Sequence, residues 1–155
     1  MLLATYVVVL IKVILFKFSP MNGAFLVQQL TDHLQEPERM KERLLQQGNF
    51  APFKEIKGNL RSKSTHSLVN LFGNIALFIP FGLLLSFCLK SRMRFLKVLL
   101  LSFLMSLSLE AAQVIFAMGT FDVDDLILNT SGGILGYILY SMYRWTAPKN
   151  KRASA

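Results

Sequence analysis

The chain has 155 residues, of which 53% are apolar and 17% charged, with a mean hydropathy of +0.45. Soluble domains carry roughly 25% charged residues, so the composition excludes disorder and sets this chain apart from ordinary soluble proteins. The single cysteine, Cys88, excludes a disulfide framework and a cysteine-rich metal site; the net charge of +8 has to be located before it is read.

Residues 1–18 are apolar apart from Lys12 and Lys17. A cleaved signal peptide is the competing reading, but no basic residue precedes the apolar run, Lys12 interrupts it, and no small-x-small site follows. A retained helix is expected. Residues 24–47 have the spacing of an amphipathic helix, with Phe25, Leu26, Leu30, Leu34, Met40, Leu44 and Leu45 on its apolar side and a break at Pro37. Such a helix lies on a membrane surface or packs on a bundle. Pro52 disfavours helix at Ala51, so residues 48–53 read as a turn and an extended piece. Residues 58–66 read as polar and flexible.

The remainder is dominated by charge-free stretches. Residues 64–89 contain no Asp, Glu, Lys or Arg, residues 95–118 contain only Lys97 and Glu110, and residues 126–143 contain none. About 20 apolar residues match the hydrocarbon thickness of a bilayer, and these stretches lack the wide polar face of a soluble helix. The expected fold is therefore all-α: a polytopic membrane protein, read as a single domain, with transmembrane helices over 2–18, 68–89, 95–118 and 123–143. A long outer loop (19–67) and an inner tail (144–155) complete it.

Orientation follows from basic residues in short loops. Lys90, Arg92, Arg94 and Lys97 cluster between the second and third spans, and Arg144, Lys149, Lys151 and Arg152 follow the fourth. Residues 119–124 are acidic and have no basic residue. Both termini are expected in the cytoplasm. The long loop mixes seven Lys/Arg with five acids and carries less weight. The basic excess thus reports topology, and no nucleic-acid partner is expected.

Polar residues inside the spans single out a site. Asn70 and Asn74 share a face of the second helix, with Gly73 beside them. Ser102, Ser106 and Glu110 repeat every four residues, Gln113 follows, and Asp122, Asp125 and Asn129 share a face of the fourth helix. That face continues into Gly132 and Gly136, a small-xxx-small pattern for close helix approach. At 1.5 Å per residue, Asn74, Glu110 and Asn129 lie roughly 9, 12 and 10 Å from the outer ends of their helices. One outward-opening polar pocket is expected, lined by Asn70, Asn74, Glu110, Gln113, Asp122, Asp125 and Asn129, with His66 at its rim. Glu110 is the candidate acid/base, because an acid inside a membrane costs about 2.5–3.5 kcal/mol on insertion scales and marks function. The bland account of Glu110 is a protonated acid hydrogen-bonded to Asn74 or Asn129. For Asp122, Asp124 and Asp125 it is an exposed acidic turn rather than a cation site. No metal and no cofactor are expected.

The ordered motifs add a resemblance. Asn70-Leu-Phe-Gly-Asn-Ile-Ala-Leu-Phe-Ile-Pro-Phe-Gly82, Glu110-Ala-Ala-Gln113 and Asp122-Val-Asp-Asp-Leu-Ile-Leu-Asn129 closely resemble the VanZ-like membrane proteins. The likeness runs from about residue 15, through Asn49-Phe-Ala-Pro-Phe53, to about residue 143. It departs at Gly119-Thr120-Phe121, where many members carry an arginine. The resemblance implies a multi-pass protein of the bacterial plasma membrane, of the type linked to teicoplanin and lipoglycopeptide resistance. The implied partners are the bilayer and lipid-linked wall material or the drug itself. A non-enzymatic factor is the first reading. A small intramembrane enzyme, with Glu110 as acid/base and Asp125 and Asn129 orienting, is the second.

Overall fold

A computed structural model describes residues 1–16, 23–62, 64–90 and 93–146, with the backbone alone at Phe25, Asp32, His33, Leu34 and His66. Lys17, Arg92, Lys149, Lys151 and Arg152, and the side chain of His66, all used in the sequence reading, lie outside the described residues.

Among the described residues the protein is all helix: α1 (Leu2–Phe16), α2 (Gly23–Gln35), α3 (Pro37–Gln47), α4 (Lys54–Ser62), α5 (Thr65–Cys88), α6 (Arg94–Ile115) and α7 (Val123–Thr146). Two of them, α5 over Ser67–Cys88 and α6, are long and apolar enough to cross a membrane. Only 28% of each apolar window is buried inside the molecule, whereas a core helix of a soluble protein would be mostly covered. Val69, Phe72, Leu100, Phe103 and Leu104 are exposed, while Ser102, Ser106 and Glu110 of the same helical region are buried. Apolar outside and polar inside is the arrangement that a hydrocarbon solvent selects. Helix α1, at 15 residues, is shorter than a full span. Helix α7 has the length but carries Asp124, Asp125 and Asn129 in its first two turns.

Glycine sets the packing of α7 on α5. A Cβ added at Gly132 or Gly136 would overlap the backbone carbonyls of Ile75 and Ile79, and one at Gly82 would overlap Gly133. Gly133 in turn admits the Ser102 side chain of α6. The apolar core below this seam contains Leu10, Phe78, Phe81, Leu85, Val98 and Leu109. At the end opposite the acidic turn, Arg94 donates to the Leu89 carbonyl (2.7 Å) and lies 4.8 Å from the centre of the Tyr140 ring.

The break expected at Pro37 is present, while the bounds of α4 and α6 differ from the sequence expectation. The amphipathic segment divides at Glu36 into α2 and α3, with Pro37 at the first position of α3, where its missing N–H costs nothing. Residues 58–62, expected as flexible, belong to α4. The third apolar helix stops at Ile115 rather than 118, because Ala117 turns left-handed (φ 51°). The Ala117 N–H donates to the Val114 carbonyl (3.1 Å) and the Met118 N–H to the Gln113 carbonyl (2.9 Å), which is the Schellman closure of a helix end.

Candidate functional site

The site lies where α1, α5, α6 and the N-terminal turns of α7 meet. A cavity of about 380 Å³ is lined by Asn70, Asn74, Glu110, Gln113, Asp125 and Asn129 together with Val13, Ile14, Val69, Gly73 and Leu77. Six of the seven residues expected in a pocket therefore line one cavity. The seventh, Asp122, does not. Its carboxylate accepts the Asn49 side-chain N–H (2.7 Å) and the Asp124 backbone N–H (2.8 Å), so it caps α7 instead.

Five of the six polar residues of the cavity, Asn74, Glu110, Gln113, Asp125 and Asn129, are tied to another segment of the chain. The Asn74 side chain donates to Asp125 (2.5 Å), joining α5 to α7. The Asn129 side chain donates to the Ser106 hydroxyl (2.9 Å), joining α7 to α6. Gln113 donates to the Ile14 carbonyl (3.3 Å) of α1, and the Tyr6 hydroxyl donates to the Leu77 carbonyl (2.7 Å). Glu110, 1% exposed, accepts the Asp122 backbone N–H at 2.9 Å. Sequence pointed to an amide such as that of Asn74 or Asn129; the Asp122 backbone N–H is a partner it did not indicate. The carbonyl oxygen of Asn129 is buried and has no hydrogen-bond partner among the described residues.

The acidic turn is not an exposed cluster. Asp124 is 1% exposed, and its two carboxylate oxygens accept the backbone N–H groups of Phe53 (2.5 Å) and Ile56 (3.0 Å). A carboxylate on two N–H groups at the start of α4 is a helix cap supplied by another element. Phe53 holds a left-handed backbone (φ 66°), a conformation costing about 1–2 kcal/mol for a side-chain-bearing residue, which the Asp124 bond helps to fix. The three acids thus part: Asp122 to Asn49, Asp124 to α4, Asp125 to Asn74.

Sequence reasoning missed Asn49. It forms an isolated parallel bridge with Asp122, its N–H donating to the Phe121 carbonyl (2.8 Å) and its carbonyl accepting from Val123 (3.0 Å). Phe50 stacks on Phe121 beside the bridge, with ring centres 5.4 Å apart. Arg43 was missed as well; it donates to the carbonyls of Ala117 (3.3 Å) and Gly119 (3.5 Å), groups left free by the end of α6. No period in the sequence pairs these residues with the acidic turn. Val13 and Ile14 carried only an apolar signal, so their place in the cavity wall was not legible either.

Among the described residues, two helices long and apolar enough to cross a membrane, with a cavity carrying six polar side chains beside them, fit a membrane-associated protein. Comparison with known proteins makes the class specific. A family model described as VanZ/LLP1 matches residues 3–144. Protein VanZ of Enterococcus faecium is 36% identical over 141 residues, covering 91% of this chain and 72% of that protein. The chain belongs to the VanZ/LLP1 family. No solved structure matches it.

Proposed function

We propose that this protein spans the bacterial plasma membrane with α1, α5, α6 and α7, both termini in the cytoplasm, and that its cavity opens outward to engage an amphiphile. The amphiphile is lipid-linked wall material or the lipid tail of a lipoglycopeptide, and its capture lowers susceptibility to teicoplanin and related drugs. The observation that carries this reading is the mixed lining of the cavity, in which amides and carboxylates occur together with Val13, Ile14, Val69 and Leu77. A headgroup suits the polar residues of this lining and an acyl chain the apolar ones. Lys90, Arg94 and Lys97 near one end of the helices and Asp122, Asp124 and Asp125 at the other support the orientation. The family resemblance supplies the drug class.

The second reading, an intramembrane enzyme that modifies a lipid or wall-polymer headgroup, rests on Glu110 lining that cavity beside Asp125 and Asn129. Susceptibility assays and chemical profiling separate the two. Glu110→Gln and Asp125→Asn are expected to abolish protection against teicoplanin while the lipid and wall-fragment profile stays that of wild type. A profile that changes with the wild-type chain and reverts with Glu110→Gln favours the enzyme. Full protection from both variants overturns the cavity as the working site.

A further inference from the structure

We propose that the cavity opens sideways, between α1 and α5, into the outer leaflet, and that it takes a membrane lipid by its headgroup while the acyl chains stay in the bilayer. The inference rests on the amphiphile reading and topology above and deepens them by naming the ligand class. Asn74, Asn70, Leu77, Gly73 and Val69 of α5 all border the cavity. At about 100° per residue they follow one another around roughly 140° of the helix, from Asn74, bonded to Asp125 of α7, out to Val69. Val69 is 64% exposed, and Phe72 on the same face is 59% exposed. The lining therefore passes from the interior of the molecule to its surface, across Gly73, whose Cβ position is open. Helix α1 supplies the opposite edge. Val13, also in the lining, is 40% exposed, while the carbonyl of its neighbour Ile14 accepts from Gln113 of α6 (3.3 Å).

Depth and size select the ligand. At 1.5 Å per residue, Val13 lies roughly 4–5 Å from the end of α1 at Phe16. Val69 and Gly73 lie roughly 3 and 9 Å from Ser67, where the apolar run of α5 begins. Beneath them, roughly 15 Å down both helices, the Tyr6 hydroxyl donates to the Leu77 carbonyl and joins α1 to α5. The opening thus sits at the level where headgroups give way to acyl chains, and its edges are apolar. A cavity of about 380 Å³ is near the small end of ligand sites, which run from roughly 300 to 1,000 Å³. It has room for a headgroup. Two acyl chains, each reaching through about 15 Å of a ~30 Å hydrocarbon core, need the bilayer itself. A lateral opening lets the polar residues take the headgroup without drawing the chains out of hydrocarbon.

Photolabelling tests this. The full chain is made in a bacterial host supplied with a fatty acid bearing a diazirine near its carboxyl end, so that the host's own lipids carry the label. It is purified in detergent to exchange loosely held lipid, weighed by native mass spectrometry, illuminated and mapped by its peptides. A retained lipid is expected, with labelling at Val13, Val69 and Phe72 at least about tenfold above that at Leu100, Phe103 and Leu104, exposed residues of α6 away from the cavity. Val69→Trp, which narrows the opening from an exposed position, should cut retention at least about tenfold, and Leu104→Trp should leave it unchanged. A melting temperature for each variant verifies the fold. Labelling at Ile14 and Leu77 instead, equal labelling of α5 and α6, or retention indifferent to Val69→Trp overturns the lateral site and leaves the amphiphile reading standing. If no lipid is retained the lateral site is overturned, and teicoplanin added to the same sample decides the rest: its binding preserves the amphiphile reading, and its failure to bind overturns both.

Discussion

Asp124 does for α4 what a helix ordinarily obtains from its own N-cap residue. Its carboxylate reaches the N–H groups of Phe53 and Ile56 from 71 and 68 residues away. Asp124→Ala should therefore destabilise the protein by about 1–2 kcal/mol, with Asp124→Asn losing less because it keeps one acceptor. Thermal melting in detergent checks the order. Glu110 yields a sharper contrast. Glu110→Gln keeps an acceptor for the Asp122 N–H and should melt near wild type, whereas Glu110→Leu strands that N–H and should cost roughly 1–3 kcal/mol. Equal melting temperatures for the two would refute the hydrogen bond as a structural tie. At this scale the sequence was legible where scarcity made a residue conspicuous. Glu110 is the one acid in the charge-poor stretch 95–118, and Asn70, Asn74, Gln113 and Asn129 are conspicuous polar residues of equally apolar segments. Asp122 and Asp124 were misplaced because an acid's partner on a distant turn leaves no local signal. Asn49 and Arg43 were missed for the same reason.

The helices themselves were largely legible, since charge-free runs and a proline mark α5, α6, α7 and the α2–α3 break. Helix ends were less so. The last turn of α6 closes on Ala117 in a left-handed conformation more often taken by glycine, so the sequence offered no stop signal before Gly119. Residues 58–62 look like a loop because they are polar and include Gly58, yet the Asp124 cap and packing against α5 and α7 hold them in α4. Packing between elements is where glycine identity matters most. Gly136 lies against the backbone of Ile79 and Leu83, so Gly136→Leu should force α7 from α5 and cost about 1–3 kcal/mol or more. Gly73 on α5 has no heavy atom within 4 Å of an added Cβ, so Gly73→Ala should be neutral or slightly stabilising. Melting the two variants side by side tests the contrast.

Among the described residues, many apolar side chains of α5 and α6 face outward while six polar ones from α5, α6 and α7 line one cavity. The all-helical architecture and the two candidate spans, α5 and α6, followed from composition, because long charge-free runs favour such helices. The cavity followed from depth, because equal distances from helix ends bring side chains of different helices to one level. What composition could not supply was the apolar wall from α1 or the support that α3 and α4 give to the acidic turn. The proposed orientation has its own test. Cys88 is exposed at the end of α5 and should resist an impermeant maleimide added to intact cells, while Thr120→Cys in a Cys88→Ser background should react. The reverse pattern would invert the topology and turn the cavity inward. The central claim, that the cavity itself does the work, is tested most directly by filling it. Gly73 lines the cavity and has open space around its Cβ position, so Gly73→Leu occupies the volume without displacing a packed neighbour. Teicoplanin susceptibility is then measured in a sensitive host carrying the wild-type chain or this variant at equal abundance. The account predicts that wild type protects and Gly73→Leu, though folded, does not; equal protection from a filled cavity, or none from wild type, would contradict it.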